Sequence, residues 1–452
     1  LLLGEAELFP VRSSFLFLVN RTCMKAYQVL AMLLAFVSSS ALAAHYQITV
    51  SPANPMQLHA TLTDFPATLQ DRVLRLHGVS RGLASQLVAP HCDKQTLVLS
   101  GPGEWVLPAG CGQVSWDIHA QSVLSGEVDS SEQKSVYFQN KKWWLLSEPT
   151  SLLRLDGDAE DSLTILGMDT QQQVGAMARS YGQWLVPSAG APEFYAFGNL
   201  ALIRQQIGPF SVDYVADDAA EVARLQLPAL HADALSYLAK ILPPAKNTVA
   251  KDRHLLVVWL GIDEKQGRSG GAAGKRSFLA NYIKGAEKNT AASTALTLMI
   301  LAHEQFHQLA AMSVEHEVKS PTWAGEGLAH YYGLKTLAQS KLPADEIAKL
   351  RAHFIQPEQV PKNGLLALER KYKQGDRSVY PLFYAQGATF WSEVDRLLQS
   401  ASQNKRSLDD FLPLLLADDF AQAGQLPPRF LYAIRPLSGP DLDTLLAKYL
   451  GQ

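Results

Sequence analysis

The residues best suited to chemistry are His303, Glu304 and His307, in the run His303-Glu304-Gln305-Phe306-His307. On a helix, side chains four apart share one face, so both imidazoles can reach a single ion. Glu304 stands beside them, where a carboxylate can hold a water and take its proton. Leu298, Met299, Ile300, Leu301, Ala302, Phe306 and Leu309 surround the run and predict a buried helix. Two histidines and a glutamate there are unfavourable unless something satisfies them, and one zinc ion would do so. Such a site needs at least a third protein ligand. Eighteen residues separate His307 from Glu326, which stands within PTWAGEGLAHYYG. Two histidines and one carboxylate leave a position for water, which suits a hydrolytic rather than a structural site. His316 and His330 are alternative third ligands, but neither has a matching partner signal. Glu326 as a plain surface residue, or a metal site without catalysis, are the remaining alternatives.

Several elements must position these groups. AASTALTLMILAHEQFHQLAAM reads as one long helix and EGLAHYYGLKTLAQS as a second that folds back on it. Ser320 as N-cap with Pro321 at the first helical position marks the start of the second. Gly325 and Gly327 flank Glu326 and would let the two helices approach at the metal. Trp323 is expected beneath Glu326. Further helices are predicted in ADEIAKLRAHFI, GATFWSEVDRLLQS, SLDDFLPLLLA and DLDTLLAKYL.

Upstream the pattern changes. YQITV, RVLRLHGV, TLVLS, GEWVLP, GQVSWDIHA and KSVYF alternate or carry β-branched runs, broken by Gly, Pro, Asn and Asp. Between 162 and 290 the text is mixed: TILGM, HLLVVWLGI and FLANYI as strands, AAEVARLQ and ALSYLAKIL as helices. The expected layout is α+β, with a β-rich domain over 44–150, a mixed α/β catalytic subdomain over 151–310 and a helical subdomain over 311–452. The acidic run from Asp156 to Asp161 lacks the spacing of a calcium loop and reads as a solvated turn. The Gly-rich stretch after Trp259 matches no phosphate-loop pattern.

The chain has 452 residues, 47% apolar and 18% charged, with 40 Lys+Arg against 43 Asp+Glu. That balance offers no overall field for nucleic acid, so no nucleic-acid partner is expected. From Met24 the text reads MKAYQVLAMLLAFVSSSALA, with Lys25, an apolar stretch and a small-x-small Ala41-Leu42-Ala43. Residues 24–43 are therefore expected to be a secretory signal peptide cleaved near Ala43, and 1–23 an extension upstream of the true start. No later segment is long and apolar enough to span a bilayer, so no stable membrane insertion is expected once the signal is removed. Of three cysteines, Cys92 and Cys111 remain after cleavage, and an oxidising compartment favours one disulfide between them.

HEQFH, eighteen residues, then the Glu of WAGEGLAHYY resembles the gluzincin metallopeptidases. The surrounding text is most similar to the glycyl aminopeptidase family that often carries a PDZ domain, a relative of the aminopeptidase N type. The resemblance implies a β-rich N-terminal domain, a thermolysin-like zincin catalytic domain and a helical C-terminal part. It implies one zinc on His303, His307 and Glu326, with Glu304 as general base. Tyr384-Ala-Gln-Gly387, then ATFWSEVDRLL and Ser407-Leu-Asp-Asp410, match a further landmark. They make Tyr384 the donor that stabilises the tetrahedral intermediate, with Tyr380 and Tyr372 as substitutes. The resemblance also implies that an extended peptide or protein substrate pairs with Phe278–Ile283. Gly270, Gly271, Ala272, Ala273 and Gly274 would then form a flexible rim of the cleft.

That stretch lacks the acidic residue that meets a free substrate amine in the family, and no PDZ domain is expected after the helices. The expectation is a zinc peptidase of the bacterial cell envelope, periplasmic or secreted, with endopeptidase or oligopeptidase activity ahead of aminopeptidase. A non-catalytic envelope binding protein on a peptidase fold and a hydrolase of non-peptide amides are the other readings.

Overall fold

The ten-residue strand His254–Asp263 is buried almost throughout, and its side chains divide between two cores. Leu255, Val257 and Trp259 face the helices, while Leu256, Val258 and Leu260 face a second sheet. A strand covered on both faces reads as a continuous apolar run, which is why HLLVVWLGI shows no alternation. In this computed structural model the described residues are 44–451, apart from 52, 65–72, 77–85, 89, 125–127, 156–159, 168–171, 181, 188–189, 250–252, 264–269, 286–289, 316–317, 361 and 422–423. The expected extension 1–23, signal peptide 24–43, His316 and most of the acidic run lie outside them.

The strand belongs to a five-stranded mixed sheet in the order Ile203–Ile207, Phe210–Ala216, His254–Asp263, Ser277–Lys284, Gly271–Ala273. The three central strands run parallel and both outer strands antiparallel. On one face lie the helices Leu227–Ile241 and Thr290–Ser313. On the other lies a five-stranded sheet containing Trp143–Ser147 and Phe194–Gly198. Beyond that sheet an eight-stranded sheet contributes Tyr46, Ile48 and Val50, which alternate with partly exposed His45, Gln47 and Thr49. The arrangement is α+β and zincin-like: sheets from about 45 to 290, then mostly helices.

Sheet pairing runs past residue 150, the expected end of the β-rich region. Leu153–Leu155 pairs with Val73–Leu76, Asp161–Leu166 runs parallel to His45–Val50, and Phe194–Gly198 pairs with Trp143–Ser147. These ladders close across more than a hundred residues in one case, a distance over which local pattern gives no partner. Cys92 and Cys111 are disulfide-bonded. SLDDFLPLLLA is not one helix: a short 3-10 turn at Leu408–Asp410 gives way to Leu412–Leu415, with Pro413 in its first turn. The last helix, Pro428–Leu450, starts well before DLDTLLAKYL and kinks at Gly439, between Pro436 and Pro440.

The turn joining Gly271–Ala273 to Ser277–Lys284 is locked to the N-terminal sheets by Glu193. Its Oε2 accepts from the amides of Arg276 at 3.1 Å and Ser277 at 3.4 Å, while Oε1 is buried without a partner. Burial pushes this carboxyl up from 4.5 to about 7, against the hydrogen bonds that favour its charge. The raised folded pKa fixes the sign. The contribution is full below pH 4.5, falls as the unfolded chain ionises first, and is lost once pH passes about 7. About 3 kcal/mol should disappear across that window. Glu193→Gln should flatten this part of the profile, read as the difference in urea midpoint between variant and wild type from pH 4 to 8.

Candidate metal centre and active site

The helix Thr290–Ser313 carries His303 and His307 one turn apart, with their Nε2 atoms 3.3 Å from each other. Glu326, on the helix Thr322–Leu337, brings Oε2 to 3.3 Å from the first and 3.6 Å from the second. No other group of three or more such side chains clusters this way among the described residues. Zinc bonds of about 2.0–2.2 Å in tetrahedral geometry require ligand atoms about 3.3–3.6 Å apart. The two imidazole nitrogens and the carboxylate oxygen meet that requirement, so the residues fit the ion.

Electrostatics agree with the geometry. Burial alone would raise the Glu326 carboxyl, but hydrogen bonds and charge from His303 and His307 hold it well below the usual range. Burial disfavours the charged His307 ring, yet Glu326 and then Glu304 raise its pKa. Two imidazoles and a carboxylate thus share a half-desolvated site that a dication would balance. His303 Nδ1 is buried without a hydrogen-bond partner, as is Nε2 of His330, whose ring lies 5.6 Å away. Burial pushes His330 down to about 3. His330 therefore stands behind His303 rather than replacing Glu326 as ligand.

Glycine and glutamine set the helix positions. The expectation that Gly325 and Gly327 admit the motif helix is corrected. A Cβ at Gly333 would lie 2.8 Å from the Met299 carbonyl oxygen, so that glycine permits the approach. Gly327 instead faces Gly387, where a Cβ would meet backbone at 2.6 Å, and so admits the segment carrying Tyr384. The helix begins at Thr322, with Pro321 rather than Ser320 as N-cap. Its first turn is held from a distance, since the Trp323 amide donates to buried Glu369 at 3.2 Å. Trp323 itself stacks on Trp391 at 6.0 Å and anchors the helix to the C-terminal ones. Asp409 accepts from Lys335 at 2.7 Å and from Tyr332 and Tyr237, both at 2.9 Å, so the Ser407–Asp410 segment braces that helix rather than the chemistry.

Flanking the metal-binding face of the motif helix, Gln305 and Gln308 form a clamp absent from the sequence reading. His231 joins Tyr214 at 2.8 Å to Gln305 at 3.0 Å, and Gln305 donates to Gln308 at 2.7 Å. Gln308 then donates to the carbonyls of Gly274 and Ser277 at 3.0 and 2.7 Å. Their two- and five-residue offsets from His303 were the available signal.

Tyr384 lies on a π-helical turn, Phe383–Gly387, a local widening often found at functional sites. Its hydroxyl donates to the Tyr380 hydroxyl at 3.2 Å, and Tyr380 donates to Glu326 Oε1 at 2.8 Å. Tyr380, first considered a substitute for Tyr384, thus orients the zinc ligand.

A cavity of about 700 Å³ gathers His303, Glu304, His307, Glu326, Tyr380 and Tyr384, with Tyr372 and Arg377 on its wall. Gly271, Ala272 and Ala273 line the same space. These three residues form a strand, not a flexible rim. They pair with Phe278, Leu279 and Ala280, so the first half of the edge expected at Phe278–Ile283 is already occupied. Among the described residues, the edge without a strand partner belongs to Gly271–Ala273 itself. Gly270 lies under Ser130 and Asn281, and Gly274 borders a second cavity.

The fold matches the crystal structure of an aminopeptidase N family protein from Idiomarina loihiensis with a TM-score of 0.66, across 90% of this chain and 76% of that one, at 13% identity. The chain has an aminopeptidase N-type fold. No protein-family model and no curated protein matches the sequence. Within the described residues no helix is long and apolar enough to cross a membrane.

Loss of an outer hydrogen bond to a ligand typically weakens metal binding by about 10- to 100-fold. Tyr380→Phe should do so in a chelator-competition titration, and Glu326→Gln should abolish stoichiometric binding with far-UV circular dichroism unchanged.

Proposed function

We propose that this chain is a zinc-dependent peptidase of the cell envelope, exported through residues 24–43 and acting on free N-termini. The observation that carries the peptidase reading is that Glu304 and the three ligands face the same cavity as Gly271–Ala273, a strand whose outer edge has no strand partner among the described residues. A peptide adding to that edge would gain main-chain hydrogen bonds with its carbonyls beside the metal site. The likeness to an aminopeptidase N family structure supports removal of N-terminal residues. Internal cleavage is the second reading, favoured by Ala273 and Gly274, which offer no carboxylate for a substrate amine.

A zinc ion held by His303, His307 and Glu326 supplies a Lewis acid that acidifies water and polarises a carbonyl. The Glu304 carboxylate accepts the proton of the attacking water and delivers it to the leaving amine nitrogen. Tyr384, whose hydroxyl donates to Tyr380 in the resting protein, turns its hydrogen to the substrate oxygen as charge develops there. Tyr380 keeps Glu326 in place throughout.

Glu304→Gln should retain one zinc by elemental analysis and lose roughly 100- to 10,000-fold in kcat. The decisive assay is mass spectrometry of cuts in a mixed peptide library, with and without N-terminal acetylation. Single residues shed only from free N-termini establish an aminopeptidase, and internal cuts in acetylated peptides establish an endopeptidase. Bound zinc with no cleavage of any peptide overturns the peptidase reading.

A further inference from the structure

The metal-site cavity does not end at Gly274. A second cavity of about 600 Å³, in the size range of ligand clefts, shares Ala273 and His307 with the first. Its floor is apolar: Phe306, Ala310 and Val314 come from the motif helix and its end, Leu328 from the second helix, and Leu416 and Phe420 from the turn and loop that follow Leu412–Leu415. Phe306, Leu328 and Phe420 are buried parts of the main core, so the floor is preformed.

The backbone at the junction shows what must happen there. Among the described residues no strand pairs with the outer edge of Gly271–Ala273, while the Gly274 amide donates to Ser277 O at 2.8 Å within the inner ladder and its carbonyl accepts from Gln308 at 3.0 Å. Lys275 N is likewise taken, by Pro192 O at 2.7 Å. In this register only Gly271 and Ala273 turn their main-chain groups outward, so a substrate strand can bond to these two residues. The next outward position is Lys275, whose amide is already taken within the protein. A side chain at 274 could not close this end either: a Cβ there would stand 2.6 Å from Pro192 O and 2.7 Å from Ser277 Oγ, pointing inward. Ladder pairing stops where the apolar floor opens, about 10 Å along the strand from Gly271, which faces Glu304.

We propose that this second cavity is a specificity subsite that takes a large apolar side chain of the substrate, two or three residues along from the carbonyl at the metal. The inference rests on the peptidase reading above and adds the substrate class: peptides with Leu, Phe or a similar residue at one fixed distance from the cut. Side-chain burial replaces the missing main-chain bonds, and the preference it gives is roughly 10- to 100-fold over glycine.

Two measurements separate this proposal from the reading beneath it. In the first, kcat/KM is measured on peptides of one sequence in which each position in turn is Gly, Ala, Leu or Phe. The enzymes are wild type and two variants that fill the cavity, Ala310→Phe and Val314→Trp, neither of which touches the metal site. Wild type should prefer Leu or Phe at a single position. At least one folded variant should lose 10-fold or more on those peptides while staying within about 2-fold on the glycine peptide. In the second, isothermal calorimetry follows binding of the Phe and Gly forms of one pentapeptide to Glu304→Gln protein, alone and combined with each filling substitution. The Phe form should bind more tightly, and filling the cavity should remove the difference. Tight Phe binding that filling removes, with no cleavage by wild type, would sustain the subsite and overturn the peptidase reading. Cleavage with no positional preference, or a preference that survives in both folded filling variants, overturns the subsite and leaves the peptidase reading standing.

Discussion

The contact on which the structure depends is the approach of one carboxylate to two imidazoles, Glu326 to His303 and His307, at 3.3 and 3.6 Å. Taking these groups out of water is unfavourable, and their pairing offsets only part of that. The packing around them keeps the separation small. Gly333 lets the second helix touch the first, Gly327 lets the Tyr384 segment touch the second, and Tyr380 reaches back to the carboxylate. A methyl group added at Gly333 or Gly327 would meet backbone, where no flexible side chain can yield.

The motif helix does two things at once. One face presents His303, Glu304 and His307 to the cavity. The flank of that face, through Gln305 and Gln308, holds the turn that ends the edge strand. The metal ligands and the substrate-facing strand are therefore referenced to the same rigid element, which keeps a reacting carbonyl and its base in register. The N-terminal sheets take part as well. Asn281, beside the edge strand, accepts from Ser130 and donates to Val128 and Leu260.

The metal ligands were legible in the sequence because a helix converts spacing of four into a shared face, and because the distal glutamate lies on the next helix. The long helices and the alternating strand His45–Val50 were legible for the same reason, a local period. What the sequence hid is relational. Nothing local tells that Leu153–Leu155 returns to Val73–Leu76, or that Gly271–Ala273 folds onto Phe278–Ala280 and takes the first half of the edge expected for a ligand. Gly325 and Gly327 looked like the helix-contact glycines since they flank the ligand, but contact falls where the helix surfaces cross, two turns later at Gly333. Tyr380 was visible only as a neighbour of Tyr384, since its bond to Glu326 depends on how two distant segments meet.

The contact between Gly327 and Gly387 carries a consequence for how the protein comes into being. A chain made from its N-terminus completes the sheets and the motif helix first, and Glu326 follows soon after. The segment that fixes Glu326, with Tyr380 and the Gly387 backbone, emerges some sixty residues later. The nascent protein therefore holds all three ligands for an interval without the wall that orients them, and competent geometry arrives only near the end of synthesis. The wall that orients the ligands is thus among the last parts of the site to be made.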